Sequence, residues 1–481
     1  KYATEFHMTN DSRLFPPRPK WEEWGYRPDE YSRWIKGDWR PIEELWAELG
    51  VDPSKPVPID PACAKRIEEG IARGEVGKTD WRVRCAQPPY DTLPIPRADI
   101  PEGIILSRDA THFIREEDIP TVAFTDASAK PLTIKVEDAN GKKKEVKVTG
   151  PAIALPLYEG RMIDIADASA KGWVRGKGRG AVWEDIPRRA KDIRPQYLVG
   201  SACRTRASTK AVDTTVSHKR IGSATNERSS IACVLHDLPG GDTAAIFWTA
   251  GNREDFALAA VLSSIAFDSI MRVRLGGLHL DYHVYDQNPL PDRAVATPLS
   301  GYELRLSQPW PRGGACWQSL LCRAGTPLIG WRTLWALTDH ERLRLQCMVE
   351  SIAAALYGMR REDLAWVLRD CAYPLSTVSA KSFAATLNPK GFWRIDKDKH
   401  PEHRHTVLSL IAFHDLQQKI DACGGDVAKG IEAFCNQNDG EGWMLPETLR
   451  LADYGLGHDD RAQHPQPVRE CFGPRFYDWQ L

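Results

Sequence analysis

The clearest pattern of apolar and polar positions is helical and lies in the second half of the chain. Across Asp255–Leu275 apolar residues recur every three or four positions, and Gly276-Gly277 follows. This pattern predicts one amphipathic helix that ends at the glycine pair. Thr338–Tyr357 and Thr406–Ala422 show the same period. We therefore predict a mainly helical region from about Ser300 onward.

Strand patterns lie earlier in the chain. Thr133–Val148 alternates apolar and polar residues on both sides of Asn140-Gly141, a dipeptide typical of a tight β-hairpin turn. The lysines of this hairpin are predicted to protect a solvated strand edge rather than to contact DNA. They are Lys142, Lys143, Lys144 and Lys147.

The N-terminal region is rich in aromatic residues and proline. Pro41–Leu49 places its apolar residues on one helical face, and Pro61–Ile71 is also predicted to be helical. Gln87–Pro101 is predicted to be extended, because residues before proline avoid the helical conformation. We expect the aromatic residues of the first 50 positions to pack on a separate domain or to form a small core of their own.

Composition narrows the class of protein without deciding its function. The chain is 42% hydrophobic and its net charge is −1, so any affinity for nucleic acid must come from a local patch. Its 11 cysteines form no CxxC pair, which favours reduced thiols and a cytoplasmic location. No signal-peptide pattern and no apolar run of membrane-spanning length is present. Because the sequence starts at Lys1 and reads like the middle of a protein, we expect further sequence upstream.

One segment departs strongly from this balance of charge. Residues 171–228 contain fourteen Lys and Arg against five Asp and Glu, a balance of +9. Converging cations are what binding to a phosphate backbone requires, because they release condensed counterions as they dock. Within the segment, residues 171–180 alternate glycine with cations. Such a stretch is predicted to be a loop that moulds itself to DNA, with a solvated surface loop as the alternative.

Specific side chains in this segment are candidates for DNA contact. Arginine can pair with guanine at two points in the major groove and asparagine can pair with adenine, whereas lysine acts mainly on phosphate. For each single residue, a phosphate contact or a structural salt bridge is a commoner role than base recognition. The candidates are Lys171, Arg175, Lys177, Arg179, Arg204, Arg206, Lys219, Arg220, Asn226 and Arg228.

Several motifs, taken in order, resemble one known family. Leu155–Ile163 resembles the segment that opens the target-recognition region of large fused adenine-N6 DNA methyltransferases, such as type IIG restriction-modification enzymes and the methyltransferases of DISARM-type phage defence. Lys219–Arg228 resembles the family's Arg-x-Ile…Thr-Asn-x-Arg stretch, and Pro289–Pro291 resembles its closing proline-flanked strand. Ile165–Asp167 departs from the family pattern. The resemblance is good over residues 150–300 and loose elsewhere.

The resemblance implies an α+β fold and a role in sequence-specific recognition of double-stranded DNA. It implies three regions: 1–150 connecting, 151–300 target recognition with mixed α/β structure, and 301–481 mainly helical. It also implies that S-adenosylmethionine and the catalytic loop belong to a methyltransferase core upstream of Lys1. Gln87–Tyr90 is the nearest match to that loop, but it has Gln where the loop requires Asn, Asp or Ser. We therefore expect no catalytic, cofactor-binding or metal-binding residue in this chain, and no membrane contact.

Two other hypotheses compete with this one. The chain could be a stand-alone, non-catalytic DNA-binding or assembly subunit of a defence complex. It could also be a metal-dependent nuclease or other hydrolase that uses the cluster at His400, His403 and His405 with nearby carboxylates. That spacing is not a standard zinc signature, so exposed histidines at a helix start are the preferred interpretation.

Overall fold

The computed structural model describes most of the chain, with several gaps. The described residues are 2–3, 5–54, 100–137, 141–188, 191–204, 214–236, 238–292, 296–308, 316–317, 320, 336, 339–438 and 440–446. The fold is α+β, as predicted, with several small antiparallel sheets followed by a mainly helical part. The predicted helix at 61–71 and the Gln87–Tyr90 motif lie outside the described residues.

Short strands dominate the first half of the chain. They are β1 (Tyr2–Ala3), β2 (Tyr26–Pro28), β3 (Trp34–Lys36), β4 (Arg40–Pro41), β5 (Ile104–Leu106), β6 (His112–Arg115), β7 (Thr121–Ala123), β8 (Thr133–Glu137), β9 (Lys143–Lys147), β10 (Thr149–Pro151), β11 (Ile153–Leu157), β12 (Lys171–Arg175), β13 (Val182–Asp185), β14 (Tyr197–Gly200), β15 (Thr214–Lys219), β16 (Ala232–His236) and β17 (Ala244–Phe247).

Helices dominate the second half. They are α1 (Arg18–Glu23), α2 (Ile42–Leu49), α3 (Asn252–Leu262), α4 (Ile265–Arg274), α5 (Tyr282–Asp286), α6 (Thr297–Ser307), α7 (Asp339–Leu356), α8 (Arg361–Val367), α9 (Leu375–Val378), α10 (Lys381–Ala384), α11 (His405–Ala422) and α12 (Val427–Asn436). The predictions for α2, α7 and α11 are confirmed to within one or two residues.

Several of the N-terminal aromatic residues belong to a core shared with the central region. Trp21 and Trp34 are buried beside Leu157 and Leu198, and the sheet order β14-β11-β3-β2 joins the two stretches of chain. The Trp21 indole nitrogen donates to the carbonyl of Pro16 at 3.1 Å. These aromatic residues are therefore used inside this fold, where they bury a large apolar area.

The predicted hairpin at residues 133–148 is confirmed. Strands β8 and β9 pair antiparallel, with Thr133 opposite Lys147 and Ile134 opposite Val146. Gly141, the second residue of the predicted turn, has φ +76°, a conformation that glycine adopts without steric cost. The residues of β9 are exposed along its whole length, as expected for a solvated hairpin.

The prediction of one long helix over Asp255–Leu275 is wrong in one respect, because this segment forms two helices. Helices α3 and α4 are bent by 64° at Ser263-Ser264. The Ser264 hydroxyl accepts from the backbone N–H of Phe267 at 3.2 Å and so caps α4. The Ser263 hydroxyl both donates to and accepts from the backbone of Ala232 in β16. The apolar period therefore continues across a break that polar contacts impose.

The helices of the second half pack around one large apolar core. Helix α7 packs against α11 and α6, and α3 packs against α6 and the sheet of order β1-β17-β15-β16. Phe256, Met271, Ile352 and Phe413 are fully buried in the same apolar cluster. Among the described residues, no single helix is long and apolar enough to cross a membrane, although α3 and α4 taken together meet the length and composition criteria.

Candidate nucleic-acid interface

The glycine-rich basic stretch forms an ordered hairpin instead of the loop predicted from sequence. Strands β12 and β13 pair antiparallel, with Lys171 opposite Asp185 and Trp173 opposite Trp183. The register shifts between Trp173 and Arg175, as a β-bulge does. The turn between the strands contains Gly176 at φ +81°. A Cβ at this position would overlap the carbonyl oxygen of Gly180, so the turn requires glycine.

Trp173 anchors this hairpin to the rest of the protein. Its side chain is buried, its indole nitrogen donates to the carbonyl of Gly176 at 3.0 Å, and the Arg18 guanidinium lies 4.9 Å from its ring centroid. The Gln196 side-chain amide also donates to the Gly176 carbonyl, at 3.2 Å. The Gly176 carbonyl is thus held by two neutral donors, the Trp173 indole and the Gln196 amide.

Four of the predicted DNA contacts lie on this hairpin and are exposed. They are Lys171, Arg175, Lys177 and Arg179. Lys171 forms a solvated ion pair with Asp185 at 3.3 Å, and exposed pairs of this kind contribute little to stability. Arg175, Lys177 and Arg179 make no ion pair within the described part of the chain. We refer to residues 171–185 below as the basic hairpin.

Arg161 extends the same surface and was missed by the sequence analysis. It is exposed, and its guanidinium donates to the carbonyl of Gly178 at 3.5 Å. Its only sequence signal is a position within Leu155–Ile163, outside the charge-rich run. Contact with the turn of the basic hairpin comes from tertiary structure, which a count of charges along the chain does not detect.

Arg204 has a structural contact that was not expected from its place in the basic run. Its guanidinium pairs with the Glu5 carboxylate at 3.1 Å, and both side chains are 8% exposed. The same carboxylate accepts from the backbone N–H of Gly240 at 3.1 Å. Glu5 thereby compensates a buried charge, and Arg204 does not belong to the exposed set.

Lys219 and Arg220 lie at the end of β15 beside acidic side chains. Arg220 donates to Asp281 at 2.5 Å and also lies 3.6 Å from Asp242. The Arg220 guanidinium lowers the pKa of Asp281, as an ion pair does. The Lys219 ammonium lies 3.9 Å from Asp164. Both cations are partly exposed but partly neutralised.

Asn226 and Arg228 lie on one loop and have opposite surroundings. The Asn226 side chain is exposed, while its carbonyl accepts from Arg272 at 3.0 Å. Arg228 is almost buried; it pairs with Asp268 at 3.1 Å and with Glu350 at 3.2 Å, and donates to the Ser263 carbonyl. Arg228 therefore holds the loop in place, and Asn226 is displayed by it. Arg206, the remaining candidate, lies outside the described residues.

Glu159, two positions before Arg161, carries a partly buried carboxyl group. Burial raises the pKa of Glu159 to about 7, the nearby charge of Arg161 opposes this shift, and Asp242 adds to it. One carboxylate oxygen of Glu159 has no hydrogen-bond partner among the described residues. The Glu159 carboxyl is therefore protonated at pH values at which ordinary carboxyl groups are already ionised.

The histidine cluster does not form a metal site among the described residues. His400 and His403 lie with their ring centroids 6.0 Å apart, and His405 is the first residue of α11, where its backbone N–H donates to Asp396 at 2.9 Å. No group of three potential metal ligands is found in this part of the structure. The arrangement gives the hydrolase hypothesis no support.

Comparisons with known proteins leave the family of this chain open. No protein family matches the chain, and no solved structure matches it. Among curated proteins, a segment is similar to the Sec-independent protein translocase protein TatA of Bartonella quintana (strain Toulouse), with 35% identity over 68 residues. That segment covers 14% of this chain and 66% of the TatA protein, which is less than two thirds of its length.

Proposed function

We propose that this chain recognises double-stranded DNA and that the basic hairpin is its principal contact with the phosphate backbone. The observation that carries the proposal is the concentration of exposed cations at Lys171, Arg175, Lys177 and Arg179 on one ordered hairpin. Three of these cations make no ion pair within the described structure. Docking on DNA would give them phosphate partners and release counterions, which favours binding.

The anchoring of the hairpin also supports this role. A flexible basic loop loses conformational entropy when it orders on DNA, and this loss weakens binding. Trp173 and Gln196 already hold the turn in place. An amide on a fixed loop, such as that of Asn226, is suited to base recognition because its donor and acceptor match adenine. Asn226 is therefore our candidate for a base contact.

The wider context of the proposal comes from the resemblance of residues 150–300. We propose that the parent protein is a site-specific adenine-N6 DNA methyltransferase of a restriction-modification or antiviral defence system, acting in the cytoplasm. In this proposal S-adenosylmethionine and the catalytic loop belong to a core outside this chain. The alternative is a stand-alone DNA-binding or assembly subunit. An intact cofactor loop in the sequence upstream of Lys1 would exclude that alternative.

The test is a salt titration of DNA binding with charge-neutral variants. We expect K171Q/R175Q/K177Q/R179Q to bind a random-sequence DNA duplex more weakly, by about tenfold or more at moderate salt. The slope of log K against log salt should fall by about 0.9 for each phosphate contact that is lost. Fluorescence anisotropy measures both quantities, and circular dichroism checks that the variant is folded.

A matched control comes from the other lysine-rich hairpin. K142Q/K143Q/K144Q/K147Q removes the same charge from an equally exposed hairpin, and we expect its binding to stay within about twofold of wild type. Wild-type binding by the first variant would refute the proposal. An equal loss in both variants would also refute it, because the effect would then report net charge alone.

A further inference from the structure

A cavity of about 460 Å³ lies between the recognition region and the helices that follow it. Its walls come from α3, α6, α7 and the start of α11, together with the loops that carry Arg188 and Arg228. Leu306, Leu343 and Ile395 contribute apolar surface. The volume and the mixture of apolar walls with a few polar groups are typical of sites for small organic molecules.

The cations that line the cavity can be matched with carboxylates, with one exception. Arg188 pairs with Asp339, Arg228 with Glu350 at 3.2 Å, and Lys399 with Asp396 at 3.3 Å. All six of these residues line the cavity. Each of the three cations therefore already has a carboxylate, and none of them requires a ligand for charge balance.

Arg342 is the exception. It is 7% exposed, lies in the first turn of α7, and donates to the carbonyls of Leu306 at 2.7 Å and Ala336 at 3.3 Å. Within the described structure it forms no ion pair. Burial lowers the pKa of Arg342 to about 10, so the guanidinium is still charged at neutral pH. Asp167, Glu303 and Asp339 act on this charge only from beyond ion-pair distance, and a buried charge without a direct partner is costly.

Glu303 acts electrostatically on Arg342 but forms no ion pair with it in the described structure. Its side chain lines the cavity and is 2% exposed, and its Oε1 atom has no hydrogen-bond partner among the described residues. Burial raises the pKa of Glu303 well above the ordinary value, against the opposing effect of Arg342. This favours the protonated carboxyl, which can donate a hydrogen bond. The Nε2 atom of His405 is a further buried polar atom of the cavity without a described hydrogen-bond partner.

We propose that this cavity binds a small organic anion whose phosphate or carboxylate group pairs with Arg342. The planar guanidinium matches both oxyanions at two points, and the Glu303 carboxyl is placed to donate to the same ligand. The apolar part of the ligand would pack on Leu306, Leu343 and Ile395. Arg188 and Lys399 have exposed side chains whose ion pairs are screened by solvent, so they can still attract the anion at the solvent-exposed entrance of the cavity. The proposal does not depend on the DNA contact at the basic hairpin.

Calorimetry on the full chain tests the proposal with four probes: adenosine monophosphate, adenosine, citrate and inorganic phosphate. We expect adenosine monophosphate or citrate to bind and to raise the Tm, and adenosine to bind about tenfold more weakly or not at all. Preference for adenosine monophosphate assigns phosphate as the recognised group, and preference for citrate assigns carboxylate. Inorganic phosphate should bind more weakly than the better organic anion because it lacks an apolar part.

Variants connect the binding to Arg342. R342Q should weaken binding of the better probe by about tenfold or more, because it removes the charge. R188Q and K399Q alter exposed side chains, so they keep the proposal testable if R342Q does not fold. Each should weaken binding by about threefold through lost attraction at the entrance. The quadruple variant of the basic hairpin should bind the probe as wild type does, which separates this proposal from the DNA proposal.

Three results would overturn the inference. The first is that neither adenosine monophosphate nor citrate binds or raises the Tm at millimolar concentration. The second is unchanged affinity in a folded R342Q, or in both R188Q and K399Q. The third is displacement of the bound probe by a short DNA duplex, which would identify a DNA phosphate as the occupant in place of a small molecule.

Discussion

Arg228 and Glu350 lie 122 residues apart in the sequence and form an ion pair at 3.2 Å. The same Glu350 carboxylate accepts from the backbone N–H of Ile265 at 2.6 Å. One buried carboxylate on α7 thus holds both the loop that displays Asn226 and the first residue of α4. The loop at residues 226–228 and helix α4 are therefore joined to α7 by polar contacts as well as by apolar packing.

Removal of Arg228 should destabilise the fold rather than only weaken DNA binding. R228A removes the arginine partner of the buried Glu350, whereas Asp268 keeps its ion pair with Arg272 at 2.9 Å. Breaking a buried pair in this way costs about 3–5 kcal/mol. Urea denaturation would measure the change in the free energy of unfolding. R175A provides the comparison, because the Arg175 side chain is exposed, and it should change stability by less than about 0.5 kcal/mol. Equal stability of the two variants would contradict this assignment.

Charge reversal at Arg204 should also act on stability. R204E would place a second carboxylate beside the buried Glu5, and the repulsion together with the lost pair should cost about 3 kcal/mol or more. The double variant E5R/R204E, which exchanges the two charges, should recover part of the loss. Thermal unfolding of the three proteins checks this. If R204E melts at the wild-type temperature and binds DNA weakly, Arg204 is a DNA contact after all.

The turn of the basic hairpin should tolerate alanine at one glycine and not at another. G176A places a Cβ in a left-handed backbone conformation and against the Gly180 carbonyl, so the turn must distort, at a cost of about 1–3 kcal/mol. We expect DNA affinity to fall because the cations leave their arrangement. G180A meets open space and should bind as wild type does. Anisotropy titrations of both variants test the pair, and equal affinities would argue against an ordered turn in DNA binding.

The sequence predicted most helices and hairpins correctly, but it did not predict the break between α3 and α4 or the tertiary contacts. The Asn140-Gly141 signal and the apolar periods of α2, α7 and α11 are local properties, and they were sufficient. The break between α3 and α4 depends on the contact of Ser263 with Ala232 in a distant strand. The capping of α4 by Ser264 is a local signal, whereas the contact of Ser263 with β16 is not contained in any local pattern.

The candidate interface was predictable only in part for the same reason. The charge run located Arg175 and Arg204 equally well, yet one is exposed and the other pairs with Glu5, 199 residues away in the sequence. The role of each cation depends on whether the tertiary structure places a carboxylate within ion-pair distance of it. Arg342 is the opposite case, because nothing in its local sequence marks it as a buried cation that forms no ion pair within the described structure.

The raised pKa of Glu159 predicts a specific dependence of stability on pH. The folded protein holds the Glu159 proton up to about pH 7, whereas the unfolded chain loses it near the ordinary glutamate value of about 4.3. The folded state therefore binds more protons between these values, and stability from this group is fully present below the unfolded pKa. It is lost as pH rises through the folded pKa.

The variant E159Q isolates this effect, because glutamine keeps the shape of the side chain without a titratable group. The free energy of unfolding of E159Q minus that of wild type should rise between pH 4.5 and pH 8 by an amount of the order of 2–3 kcal/mol. Urea denaturation of both proteins across that range measures the difference. E43Q supplies the control, since Glu43 is an exposed residue of α2 and its difference from wild type should stay flat. A flat difference for E159Q would mean that Glu159 is ionised in the folded protein throughout, with Arg161 close enough to outweigh its burial.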